Sequence, residues 1–170
     1  MERQGIITMK GNPLTLVGPE LRPGDRAPNF SVLDQFLKPV SLENFSGKIK
    51  VISTTPSLDT PVCDLQAHRF NEEATALGEQ VAILNVSMDL PFAIGRFCTA
   101  GDIKAISVLS DHREASFGTK WGMLIKELRL LARGVFLVDS ENIIRYAEIV
   151  PEQTDQPDYD DVLGALRKLL

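Results

Sequence analysis

From residue 49 onward, apolar runs of strand length alternate with stretches of helical period, and this alternation constrains the fold more than any other feature of the chain. Ile49 to Ser53 is a β-branched run, the mark of a strand buried on both faces. Over residues 61–77 the period changes. Cys63, Ala67, Phe70, Ala74 and Leu77 recur at steps of four and three, which puts them on one helix face that Gly78 terminates. Val81 to Val86 predicts the next strand and Leu90 to Thr99 the next helix, opened by Asp89 and Pro91 and closed near Gly101. Ser107 to Leu109 predicts a short strand, and Asp111 with Glu114 a capping box that starts a further turn of helix. Val135 to Val138 and Ile143 to Ile149 predict strands around the polar turn 139–142. A last helix over 158–170 buries Tyr159, Val162, Leu163, Leu166, Leu169 and Leu170, its acidic start and Arg167-Lys168 end both suiting the helix dipole. Such an order implies an α/β fold with a central mixed sheet covered on both faces, an arrangement that several three-layer topologies share.

The N-terminal part reads differently. Ile7 and Met9, then Leu14 and Leu16, alternate with polar residues around Gly11-Asn12, which supplies the positive φ of a β-hairpin turn. A Pro/Gly-rich tether leads on to Pro28, and Phe30 to Leu33 and Val40 to Leu42 read as short strands. With 170 residues the chain makes one domain, 1–170. Its 18 Lys+Arg against 23 Asp+Glu leave a net charge of −5 without basic runs, so neither nucleic acid nor an anionic membrane is an expected partner. No apolar stretch approaches the roughly 18 residues of a membrane helix. Ile6-Ile7 is too short for a secretory h-region, and a cytoplasmic location is the expectation.

Two cysteines, Cys63 and Cys98, are too few for a disulfide scaffold. Their surroundings are unequal. Pro61 suits the first helical position, which makes Thr60 the N-cap and Cys63 the third helical residue. Free N–H groups and the positive dipole end favour an anion there, hence the thiolate, the reactive form of a thiol. Each of these residues also has a plain structural reading: Thr60 as a cap, Pro56 as a loop breaker, Cys63 as a small apolar residue on the buried face. Cys98 falls near the end of its own helix, where the dipole disfavours an anion. Arg133 precedes a strand, a place where a guanidinium usually faces solvent; turned inward, it would steady charge on Cys63.

Pro56-Ser-Leu-Asp-Thr60-Pro-Val-Cys63 matches the P-x-x-x-T-x-x-C motif of peroxiredoxins. With the segments 9–18, 96–98, 109–117 and 125–133, nearly the whole chain resembles the bacterial thiol peroxidase subfamily, the atypical two-cysteine peroxiredoxins. That resemblance implies a thioredoxin-like fold with an N-terminal hairpin, and reduction of hydroperoxides by Cys63 as peroxidatic cysteine. It also implies Cys98 as resolving cysteine of the same chain, thioredoxin as reductant, and a homodimer. Thr60 would bond the peroxide and the sulfur, Arg133 would polarise the site and Pro56 would shield it from water. No metal or organic cofactor is expected, because the sulfur does the chemistry. Residues 1–8 look like an N-terminal extension, while Trp121 stands where the subfamily has Tyr and Gly134 where it has Ala.

Other functions for the same residues have their own marks. A disulfide reductase would want Cys-x-x-Cys, which is absent. A cysteine hydrolase would need a histidine beside the thiolate, and His68 and His112 read as surface residues. A non-enzymatic redox sensor would oxidise Cys63 in the same way but would not need to cycle quickly.

Overall fold

The β-branched runs pair into one large sheet and the N-terminal hairpin seeds a second. The computed structural model describes residues 1–170. In chain order the elements are β1 (Glu2–Met9), β2 (Asn12–Val17), β3 (Val32–Leu33), β4 (Pro39–Val40), β5 (Ile49–Thr54), α1 (Pro61–Leu77), β6 (Val81–Ser87), α2 (Pro91–Ala100), β7 (Ser107–Ser110), α3 (Ser116–Lys120), β8 (Leu124–Ile125), β9 (Leu130–Leu131), β10 (Gly134–Val138), β11 (Ile144–Ile149) and α4 (Tyr159–Arg167). A single 3-10 turn covers Leu42–Phe45.

The 7-stranded sheet has the order β11-β10-β5-β6-β7-β3-β4. β5, β6 and β7 run parallel, while β10 is antiparallel to both β5 and β11. The expected central mixed sheet, flanked by helices, is therefore present. Its strands are buried on both faces: Ile52, Leu84, Val86 and Phe136 point to one apolar cluster, and Val51, Ile83, Val135 and Leu137 to the other. Helices α1, α2 and α4 cover the second face through Phe70, Ile94, Val162 and Leu166. The first face is covered partly by α3 and partly by a 4-stranded sheet, β1-β2-β8-β9.

That small sheet holds what the sequence reading lacked. β8 and β9 are two residues each, too short to leave a period, and they pair because β2 offers Leu16 and Val17 as an edge. Residues 2–8, expected as an extension, lie within β1, and Arg3 Nε donates to the Gly18 carbonyl at 3.0 Å. Trp121 packs in the core, its ring stacked on Phe117 at 4.9 Å and edge-on to Phe136 at 5.1 Å. Its Nε1–H donates to the Pro28 carbonyl at 3.0 Å, so burial leaves no indole donor unpaired.

The Asp111–Glu114 capping box does not form. Helix α3 starts only at Ser116, after Ala115 at φ 50, and Asp111 reaches forward to accept from Phe117 N at 2.9 Å and Gly118 N at 2.7 Å. The carboxylate thus still caps a helix N-terminus, from further back than the box spacing allows. Burial pushes this carboxyl up to about 6, against the pull of those N–H groups. The unfolded side chain titrates at about 4, so the folded state binds the extra proton between the two values. Stability from this site is full below about pH 4 and is lost as pH rises through about 6. Relative to Asp111→Asn, the parent protein should lose melting temperature across that interval; parallel melting curves at every pH would rule this out.

Candidate active site

Helix α1 begins where the sequence puts it, at Pro61 behind the N-cap Thr60. The loop between β5 and α1 is held by Asp89, which accepts from Ser57 Oγ at 2.9 Å, Leu58 N at 2.8 Å and Ser87 Oγ at 2.8 Å. Asp89 therefore does not open α2 as expected. The N-cap of α2 is Leu90, without a side-chain bond, because the carboxylate is drawn to three donors on the other side. Pro56 is buried within that loop.

Cys63 is the third residue of α1 and is fully buried. The Thr60 hydroxyl donates to its Sγ at 2.7 Å, and the Cys63 N–H reaches Thr60 Oγ1 at 3.4 Å. Arg133, which a sequence reading would sooner leave in solvent, is 2% exposed, and its Nη2 donates to Cys63 Sγ at 3.2 Å. The sheet places it there. Gly134 pairs with Thr54 across β10 and β5, so the residue before β10 lies at the end of β5 that feeds α1. At this join a Cβ on Gly134 would meet the Glu148 carbonyl oxygen at 2.5 Å and Met123 Cε at 2.8 Å, so β10 and β11 lie closer here than an alanine would allow without a shift.

The partners of the guanidinium decide the electrostatics. Nη1 donates to Gln66 Oε1 at 2.7 Å and Nε to the Gln153 carbonyl at 3.1 Å, while the Arg133 main-chain N–H donates to Gln153 Oε1 at 2.5 Å. No carboxylate lies within ion-pair distance of Arg133. A buried cation with only neutral oxygens around it is costly, and among the side chains bonded to it the Cys63 sulfur is the one able to carry negative charge. Guanidinium, hydroxyl and helix N-terminus all favour charge on the same atom.

Sequence reasoning missed Gln66, Gln153 and Asp89. Gln66 had a signal, being a polar residue three positions after Cys63 on the buried face of α1; it is fully buried, and its Nε2 donates to Ser53 Oγ at 2.5 Å. Gln153 sits in an irregular segment after β11 and had none. Cys98 lies in the last turn of α2, half-buried, and is a free thiol like Cys63; burial pushes it up. It borders a cavity of about 410 Å³ lined also by Phe36, Val40, Phe45 and Ile103, and Cys63 does not line it. Neither histidine serves the site: His68 Nδ1 faces the Asp64 carbonyl at 2.9 Å and His112 Nδ1 faces Ser110 Oγ at 2.9 Å.

Residues 22–163, which include every residue of this site, match the Redoxin family. The chain belongs to the Redoxin family. The redoxin is 52% identical over 162 residues to the thiol peroxidase of Oceanobacillus iheyensis (95% of this chain, 98% of that one). It is 50% identical over 164 residues to the thiol peroxidase of Bacillus subtilis (96% and 98%). Among solved structures, a peroxiredoxin-like protein from Aquifex aeolicus has a TM-score of 0.91 at 42% identity, covering 98% of this chain and 99% of that one. The resemblance read from the Pro56–Cys63 motif is borne out by these relatives. In this redoxin, replacing Gln66 by Leu strands a guanidinium N–H and the Ser53 hydroxyl in the interior. The expected loss is about 1–3 kcal/mol in urea unfolding. An unchanged midpoint and slope would show that the amide bonds contribute nothing.

Proposed function

We propose that the protein is a thiol-dependent peroxidase that reduces hydrogen peroxide and alkyl hydroperoxides at Cys63. The observation that carries this reading is the buried Arg133 guanidinium, free of carboxylates, on the Cys63 sulfur at 3.2 Å. The thiol peroxidases of Oceanobacillus iheyensis and Bacillus subtilis, each about half identical over nearly the full chain, support it.

The Cys63 sulfur attacks the terminal oxygen of ROOH. A sulfur–oxygen bond forms, the peroxide bond breaks, and RO⁻ leaves and takes a proton as ROH, leaving Cys63 as sulfenic acid. In this reading Thr60 Oγ1, the Cys63 N–H and Arg133 hold the oxygens in line and stabilise the charge on the leaving one. Pro56, buried in the loop before them, keeps water from the sulfur. Cys98 then attacks the sulfenic sulfur, releasing water and forming an intrachain disulfide that a dithiol reduces. In this reading the dithiol is thioredoxin, the assembly a homodimer and the setting the cytoplasm. No helix is long and apolar enough to cross a membrane.

Both cysteines are held inside helices, Cys63 in the first turn of α1 and Cys98 in the last turn of α2, where its carbonyl accepts from Ile103 N at 2.9 Å. A disulfide needs Cα atoms within about 7 Å, so we place local unwinding of one of these turns in the cycle. Intact mass after one equivalent of peroxide tests the whole scheme. The parent should lose two hydrogens, Cys98→Ser should instead gain one oxygen, and Cys63→Ser should leave peroxide unconsumed. Peroxide turnover by Cys63→Ser at the parental rate overturns the proposal. Slow cycling with a dithiol present would favour a redox sensor instead.

A further inference from the structure

The matched residues, 22–163, begin after the N-terminal hairpin, yet the hairpin touches the site through one segment of chain. Residues 150–154 follow β11 and pass the turn of β1 and β2. Thr8 N donates to the Pro151 carbonyl at 2.7 Å, and Gln153 N donates to the Thr8 carbonyl at 2.8 Å. Between these two bonds stands Glu152. Its carboxylate accepts from the Thr8 hydroxyl at 2.8 Å, Lys10 N at 2.9 Å and Gly11 N at 3.1 Å. On its own side it takes Thr154 N at 3.2 Å and the Thr154 hydroxyl at 2.9 Å. Lys10 and Gly11 lie at φ 50 and φ 79, the left-handed turn geometry that aims both N–H groups at one anion. The Thr8 hydroxyl foremost, with the two turn N–H groups, holds this carboxyl down at about 2, so it stays charged throughout the working range.

The next residue, Gln153, is 1% exposed and grips Arg133 twice, by its Oε1 on the main-chain N–H and by its carbonyl on Nε. Its Nε2 is spent on the Val150 carbonyl at 2.6 Å, and Val150 N returns a bond to the Arg133 carbonyl at 3.0 Å. Residues 150–153 thus hold one edge of the guanidinium while Gln66 holds another, and the Glu152 carboxylate ties that segment to the hairpin turn. We propose that Glu152 is a positioning residue, clamped by the turn of the N-terminal hairpin, which through Gln153 aims Arg133 at the Cys63 sulfur. The inference rests on the reading of Cys63 as the reactive sulfur. It gives the hairpin a function at a site whose residues it does not itself supply.

A purely structural clamp would change melting temperature alone; a positioning clamp also changes the ionisation of Cys63. The measurement is the ultraviolet thiolate absorbance against pH in a Cys98→Ser background, where Cys63 is the only thiol. The groups facing that sulfur are Arg133 and, from α4, Tyr159, over whose ring Arg69 lies at 5.6 Å. Burial pushes both tyrosines up, Tyr159 to about 12, which keeps their own ionisation to the alkaline end of the titration. Removing the clamp with Glu152→Ala should raise the pH of half-ionisation by about half a unit, or about threefold in the ionisation constant, as a cation moves off the anion. Thr8→Val, which deletes one hydroxyl bond to the carboxylate, should shift it in the same direction by less. A folded Glu152→Ala with the parental titration overturns the proposal. If Glu152→Ala does not fold, an unshifted Thr8→Val does so. Peroxide consumption by the parent is recorded alongside. Its absence would defeat the peroxidase reading while the titration still judges the clamp.

Discussion

A cation sits in the interior of this protein without a carboxylate to answer it. Arg133 spends its donors on Gln66, Gln153 and one sulfur, and is all but closed to water. Neutral oxygens satisfy its hydrogen bonds but do not cancel its charge, and the interior offers little dielectric screening. Of the side chains bonded to the guanidinium, Cys63 is the one that can carry a charge to answer it. The sulfur is thus coupled to the architecture itself, since whatever holds Arg133 in place also fixes the cation beside Cys63.

That architecture is a meeting of four segments remote in sequence. The antiparallel pairing of β10 with β5 brings Arg133 to the end of the strand that leads into α1. The N-terminus of α1 supplies Thr60 and Cys63, and one turn later Gln66 reaches back to Ser53 and Thr54 on β5. Asp89, after β6, ties down the loop between them. Residues 150–153, after β11, close the arrangement from behind. The large sheet is buried on both faces, so these strand ends have little freedom to shift, which is what a guanidinium–sulfur contact of 3.2 Å requires.

Rigidity on one side is matched by weaker attachment on the other. Asp59, Thr60 and Pro61 are exposed at the start of α1, and α2 ends at Ala100, followed by its C-cap Gly101 and by Asp102 at φ 52. Helix ends such as these open at the lowest local cost, because few buried contacts are lost with them. The first turn of α1 belongs to both, since Cys63 accepts from Arg133 there, whereas the last turn of α2 carries Cys98 and makes no bond to the guanidinium.

Much of this was legible from the residues in order. The strands β5, β6, β10 and β11 and the helices α1, α2 and α4 follow from period, and Pro61 and Gly78 mark the bounds of α1. The position of Cys63 within its helix is equally local. Thr60 as a cap and Cys98 near the end of its own helix needed no tertiary information. The sequence was silent where a side chain is used at a distance. Asp111 caps from beyond a box spacing, Asp89 turns away from the helix it precedes, and β8 and β9 exist only because β2 offers them an edge. Arg133 is the sharpest case: its local setting favours solvent, and only the pairing of two strands far apart in the chain buries it against sulfur. Period and capping act over one turn or one pleat, and so are written into neighbouring residues. Electrostatic pairing acts through space, and which charge meets which atom is decided when the chain closes.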